Sequence, residues 1–84
     1  MIICWSTHAW DDYLHWQQND KKKLKRINQL IKDIMRNPFS GIGESEPLRH
    51  NWTGYWSRRI DREHRIVYKY EDEKVQIVKC RFHY

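Results

Sequence analysis

Leu24, Ile27, Ile31 and Ile34 recur at helical spacing, and Leu30 and Met35 widen the stripe they make. That spacing gathers them on one side of an α-helix. A one-sided helix needs an apolar surface to cover, and the chain supplies one downstream. Gly54 to Ile60, Arg65 to Tyr70 and Val75 to Tyr84 are rich in β-branched and aromatic residues and read as strands. Asp61-Arg62-Glu63-His64 and Glu71-Asp72-Glu73 separate them as short turns, which implies an antiparallel meander. Ile2 to Trp5 reads as a buried strand, and Leu48 to Asn51 as the start of another. The expected fold is therefore α+β. Two N-terminal helices pack on one face of a twisted, mainly antiparallel sheet of four to five strands, and the other face stays open.

Local signals set the boundaries. Ser6 or Thr7 caps the first helix, Asp11 and Asp12 fall in its first turns, and Trp10, Tyr13, Leu14 and Gln17 share a helical face. Asn19-Asp20 breaks that pattern, and Asp20 caps the second helix, which ends at Asn37-Pro38. Lys21, Lys22, Lys23, Lys25 and Arg26 crowd its N-terminal turns, where the helix dipole disfavours cations. They form either a solvated face or a patch that meets phosphate. Pro38 to Pro47 is a loop carrying Glu44 and Glu46.

The chain has 84 residues, enough for one domain, residues 1–84, with a small core drawn largely from aromatics. Its net charge is +5, which favours an anionic partner such as nucleic acid. Nine basic and five acidic residues lie from Arg49 onward, so the excess falls on the strands. Alternation puts Arg65 and Lys69 on one side of their strand, and Lys79, Arg81 and His83 on one side of the last. A half-open basic sheet suits RNA. No run approaches the ~20 apolar residues of a membrane span, and no secretory leader is recognisable, so a cytoplasmic protein without a membrane is expected. Cys4 and Cys80 read as small buried hydrophobes rather than a disulfide framework. No metal-ligand spacing or Gly-rich phosphate loop appears, and no cofactor or metal is expected.

The strands and loop carry the ingredients of RNA cleavage without a metal. That reaction needs a base for the 2′-hydroxyl, cations for the phosphate oxygens and an acid for the leaving 5′-oxygen. Glu46 can be the base. Arg65, supported by Arg59 or Arg81, can grip the phosphate. An imidazole titrates near neutral pH, so His83 can be the acid. Tyr84 can stack on a base or orient a phosphate. Nearby guanidinium groups make a carboxylate a weaker base, and burial against Pro47 or Trp52 would oppose that. The plain alternatives are a loop acid at Glu46, an ion pair from Arg65 to Glu63 or Glu44, and a solvated terminal His83. His50 lies close to Glu46 in sequence and is a second titratable candidate. His8, His15 and His64 read as surface or helix-flank residues.

Several stretches together resemble the YoeB toxins of the RelE superfamily. They are Leu48-Arg49-His50-Asn51, Gly54-Tyr55-Trp56-Ser57-Arg58-Arg59-Ile60, Glu63-His64-Arg65-Ile66-Val67-Tyr68 and the ending Cys80-Arg81-Phe82-His83-Tyr84. Trp5-Ser6, Trp10-Asp11-Asp12-Tyr13, Trp16-Gln17, Lys25-Arg26-Ile27-Asn28 and Asn37-Pro38-Phe39 extend the resemblance over essentially the whole chain. It implies a toxin of a bacterial toxin–antitoxin pair, a ribosome-dependent endoribonuclease that cuts messenger RNA in the A site. It implies a YefM-like antitoxin that covers the active site, and a homodimer. The family's catalytic Glu, Arg, His and Tyr fall on Glu46, Arg65, His83 and Tyr84. Lys21, Lys22, Lys23, Lys25, Arg26, Arg49 and Arg59 match positions expected to meet RNA, and His50 and Arg81 join them as candidate contacts. Two other functions compete: a ParE-like toxin acting on DNA gyrase, and a plain RNA-binding domain.

Overall fold

The computed structural model describes residues 1–83, and Tyr84 lies outside the described residues. Strand β1 (Ile2–Trp5) leads into helices α1 (Thr7–Asn19) and α2 (Lys21–Arg36). Then come β2 (Glu46–Pro47), a 3-10 turn (His50–Trp52), β3 (Trp56–Arg59), β4 (Arg65–Glu71) and β5 (Lys74–Lys79). The five strands form one sheet in the order β1-β5-β4-β3-β2. β1 runs parallel to β5, and the other pairs are antiparallel.

The helix ends follow the sequence. The Ser6 side chain accepts the Ala9 N–H, and the Asp20 side chain accepts the N–H groups of Lys22 and Lys23. Ile27, Leu30, Ile31 and Ile34 of α2 are buried with Ile60, Ile66, Tyr68, Val75 and Ile77 from the sheet side. The first helix departs from expectation. Its buried residues are Ala9, Asp12 and Trp16, whereas Trp10 is 45% exposed. Trp10 instead stacks with Tyr13 and meets Trp5 edge-on at the rim of the core. Asp11 and Asp12 fall in the second turn of α1, within the first turns as expected.

The strand boundaries also shift. Leu48–Asn51 is not a strand start. β2 is the preceding pair Glu46–Pro47, and the chain then enters the 3-10 turn with His50 at φ 58. Thr53 closes that turn by donating its N–H and its hydroxyl to the His50 carbonyl. Asp72 and Glu73, both at positive φ, make the two-residue turn between β4 and β5. β5 ends at Lys79 rather than running to the terminus. The reason is long-range. Asp12 takes the Cys80 N–H at 3.0 Å, and the Trp16 indole donates to the Cys80 carbonyl at 2.8 Å. Cys80 thus bonds to α1 rather than to a strand, and the tail is free to turn.

Candidate active site

Register decides what shares the open face. Glu46 pairs with Ser57, Ser57 with Val67, and Arg59 with Arg65. Paired residues of an antiparallel ladder project to the same side, so Glu46, Ser57, Arg59 and Arg65 share one face. Ser57 and Val67 form its fully buried floor.

Arg65 is the fixed centre of this face. Its Nε donates to Ser57 Oγ at 3.0 Å, and its Nη2 donates to the Glu44 carbonyl at 3.2 Å. The same Nη2 lies 3.5 Å from Glu46 Oε1. The Arg65 side chain is 12% exposed and that of Glu46 is 48% exposed, so the carboxylate is presented to solvent beside a held cation. Glu46 is thus about half covered, and it lines a hollow together with Pro47 and Trp52, the residues against which the sequence left partial burial possible. The ion-pair partner of Arg65 is Glu46, not Glu63; Glu44 offers Arg65 its carbonyl and gives its carboxylate to Arg59 at 2.9 Å. The Arg59 guanidinium holds the Glu44 carboxyl below the usual carboxylate range, first by its hydrogen bond and then by its charge.

The loop that carries these acids is packed from below. Gly43 has φ 82, and a Cβ there would lie 2.8 Å from Leu30 Cδ2 and 3.1 Å from the Arg59 carbonyl oxygen. Glycine is needed both for its backbone angle and for this close approach. Deeper still, Arg58 is fully buried. Its Nε donates to Tyr68 Oη, Nη1 to Asp33 Oδ2 and the Ile42 carbonyl, and Nη2 to the carbonyls of Asn37 and Ser40. Every N–H of the guanidinium group is used. This arginine belongs to the core side and ties the loop after α2 to the sheet.

Beyond β5 the tail runs back along the start of β4. Arg65 N–H donates to the Phe82 carbonyl at 3.1 Å, and Phe82 N–H donates to His64 Nδ1 at 2.7 Å. His83 follows directly and is exposed. The tail therefore bonds back onto the Arg65 backbone one residue before His83, and Lys79, Arg81 and His83 do not share a strand face. Arg81 is half-buried, with its guanidinium 4.6 Å from the centre of the Phe82 ring. The expected role of Tyr84 concerns a residue outside those described.

The other candidate RNA contacts divide. Lys21, Lys22, Lys25, Arg49 and His50 are exposed. Lys23 Nζ pairs with Asp61 at 2.7 Å, and Arg26 Nη2 donates to the Arg59 carbonyl at 3.3 Å, so these two brace the β3–β4 turn. Arg49 and His50 line, with residues 46–48, 51 and 52, an open hollow of about 560 Å³ next to Glu46. His8 is exposed, 3.5 Å from the buried Asp12 carboxylate, but His64 is buried, contrary to the sequence reading. Sequence reasoning also missed Asp12, Trp16, Ser57 and Arg58. For Asp12 a signal existed: an acid at helical spacing between Ala9 and Trp16. Among the described residues, no three His, Cys, Asp or Glu side chains gather as a metal site requires, and no helix is long and apolar enough to cross a membrane.

Comparison with known proteins adds the family. Residues 5–84 match the family model of the YoeB-like toxin of bacterial type II toxin–antitoxin systems. Toxin YoeB of Escherichia coli K12 is 55% identical over 84 residues, covering the whole of both chains. Among solved structures, a YoeB/ParE toxin from Agrobacterium tumefaciens superposes with a TM-score of 0.97 at 44% identity, again over the whole of both chains. Two Staphylococcus aureus structures are similar as well, a heterotetrameric YoeB–YefM complex and a YoeB dimer. Their TM-scores are 0.92 and 0.93; each is 49% identical and covers all of this chain and 98% of the other.

Proposed function

Because the chain belongs to the YoeB-like toxins of type II toxin–antitoxin systems, we propose that it is a ribosome-dependent endoribonuclease that cuts messenger RNA in the A site without a metal. The observation that carries this reading is the Glu46 carboxylate 3.5 Å from the Arg65 guanidinium, with the His83-bearing tail bonded to the backbone of that same arginine. Glu46 takes the proton of a 2′-hydroxyl, and the freed oxygen attacks the adjacent phosphorus. Arg65 bears the charge that grows on the phosphate oxygens, and Ser57 and the Glu44 carbonyl fix its orientation beforehand. His83 gives its proton to the 5′-oxygen as the phosphorus–oxygen bond breaks. The products are a 2′,3′-cyclic phosphate and a free 5′-hydroxyl. In this reading Tyr84 stacks on a base or orients the phosphate. Arg59 and Arg81 support the site, and Lys21, Lys22, Lys25, Arg49 and His50 meet RNA.

A ribosome held with messenger supplies the strand and excludes other substrates. An antitoxin like YefM, offering acid to this basic face, is the proposed partner that silences the toxin, and a homodimer in the cytoplasm is the proposed free form. The test is a translation extract with end-labelled messenger. Wild-type protein should yield fragments ending in 2′,3′-cyclic phosphate, and Glu46→Ala and His83→Gln should each abolish them while still cosedimenting with ribosomes. Translation that stops with messenger intact refutes the nuclease reading, and inhibition of gyrase supercoiling would favour the ParE-like one.

A further inference from the structure

We propose that His64 is a positioning residue for the reaction. Through Nδ1 it fixes the peptide unit before His83, an inference that rests on the nuclease reading above. Phe82 sits at φ 63, in the left-handed region that a bulky side chain rarely adopts. Strain of this kind persists only where the surroundings impose it. Here both backbone groups of Phe82 are held. Its N–H donates to His64 Nδ1 at 2.7 Å, and its carbonyl accepts the Arg65 N–H at 3.1 Å. The backbone conformation one residue before His83 therefore depends on a side chain in the turn between β3 and β4.

That side chain is itself fixed from several directions. His64 is 8% exposed, and its ring meets that of Trp16 nearly perpendicular at 4.7 Å and that of Phe82 at 5.4 Å. Because Nδ1 accepts a hydrogen bond, the imidazole proton sits on Nε2, which faces Glu63 Oε1 at 3.6 Å. The His64 N–H donates to Asp61 Oδ1 at 2.7 Å, and the other carboxylate oxygen of Asp61 is paired with Lys23. A continuous chain of bonds thus runs from α2 through Lys23, Asp61 and His64 to Phe82, one residue short of the proposed acid. Trp16 serves both ends of the tail, since its indole also holds the Cys80 carbonyl. His64 touches no reacting atom in this arrangement; its effect on the chemistry passes through Phe82.

Asn and Leu at position 64 separate the hydrogen bond from the packing. Both remove the ring and have similar size, but Asn Oδ1 can accept the Phe82 N–H where Nδ1 did, and Leu cannot. The measurements are cleavage of ribosome-bound messenger, giving kcat and KM for the programmed ribosome, and hydrogen exchange at the Phe82 amide. Misplacing a reacting group by an ångström can cost about 100-fold in rate. His64→Leu should therefore lower kcat by roughly 30- to 100-fold with KM within about twofold of wild type. His64→Asn should recover most of that loss. The Phe82 amide should be protected in wild type and in His64→Asn, and exposed in His64→Leu. If wild type cuts and His64→Leu cuts as fast, or if the two variants fall equally, the positioning role is overturned while the nuclease reading stands. If the Phe82 amide exchanges freely in wild type, the bond is not held in solution and the inference fails. If wild type leaves messenger intact, the nuclease reading falls and this inference falls with it.

Discussion

Arg58→Met removes a charge that the fold has enclosed completely. The guanidinium has no exposed surface, and its N–H groups reach Tyr68, Asp33 and the carbonyls of Asn37, Ser40 and Ile42. Methionine fills much of the volume but satisfies none of these acceptors. Breaking one side of a buried ion pair costs about 3–5 kcal/mol. Asp33 is 25% exposed, so water can take over part of its charge, and the lower end of that range applies. A loss of about 3 kcal/mol should lower the Tm of a domain this size by roughly 12–24 °C. Arg58→Lys keeps a cation for Asp33 but cannot span from Asn37 to Tyr68, and should lose about half as much. Circular dichroism melts of the purified variants measure both. The local effect is as informative. The tethered loop leads directly to Glu44 and Glu46, so near its lowered Tm the Met variant should lose cleavage before it loses helix signal. A Tm within about 3 °C of wild type would refute the reasoning, because those acceptors would then have other partners.

Three further outcomes follow from particular contacts. Lys21→Glu, Lys22→Glu and Lys25→Glu together should weaken ribosome cosedimentation and reduce its salt dependence while leaving the Tm within about 2 °C, since these side chains are exposed. Burial is the largest influence on Asp61 and pushes its carboxyl up. The hydrogen bond from Lys23 and those from the Glu63 and His64 N–H groups outweigh it and hold the carboxyl at about 2. A lowered folded value stabilises above the unfolded carboxylate range near ~4, and that contribution is lost as pH falls through about 2. Wild type should therefore lose about 1 kcal/mol more than Asp61→Asn between those limits, after discounting for solvent at the turn, as urea titrations at each pH would show. Burial, followed by the Asp12 charge, pushes the Cys80 thiol up to about 12. Iodoacetamide at pH 8 should therefore leave Cys80 unmodified in the native protein and label it in urea, which peptide mass mapping reads out.

What the sequence revealed, it revealed through local pattern. The α2 stripe, the caps at Ser6 or Thr7 and at Asp20, and the two short turns lie within a few residues of the structure they form, and their spacing carries the information. The candidate pair Glu46 and Arg65 was legible as chemistry, but their contact depends on the register of β2, β3 and β4. A two-residue strand such as Glu46–Pro47 leaves no periodic signal to fix that register. Arg58 and Arg59 are consecutive on a strand, so alternation sends one of them to the helix-covered face. That much could have been read, although the carbonyls that make burial tolerable come from a loop some twenty residues away. The final run, Val75 to Tyr84, has strand composition throughout. It stops being a strand at Lys79 because residues of α1 take the Cys80 backbone, a competition between elements at opposite ends of the chain.

That competition bears on when the proposed activity exists at all. Glu46 and Arg65 meet through the β2–β3–β4 meander and the loop that Arg58 ties to Asp33 of α2. His83 needs more. The backbone of the tail that carries it is held by Asp12 and Trp16 of α1 at Cys80, and by His64 at Phe82, in a turn that Lys23 of α2 braces through Asp61. These parts come from both ends of the chain, so the proposed acid depends on the docking of both. Asp12→Asn makes the point testable. An asparagine keeps an acceptor for the Cys80 N–H, whereas Asp12→Leu leaves that buried amide unpaired, at a cost of about 1–3 kcal/mol. If the tail is placed by α1, Asp12→Leu should lose cleavage at temperatures where its circular dichroism remains native, and Asp12→Asn should keep it. Equal cleavage by both would mean that the tail finds its place without the helix.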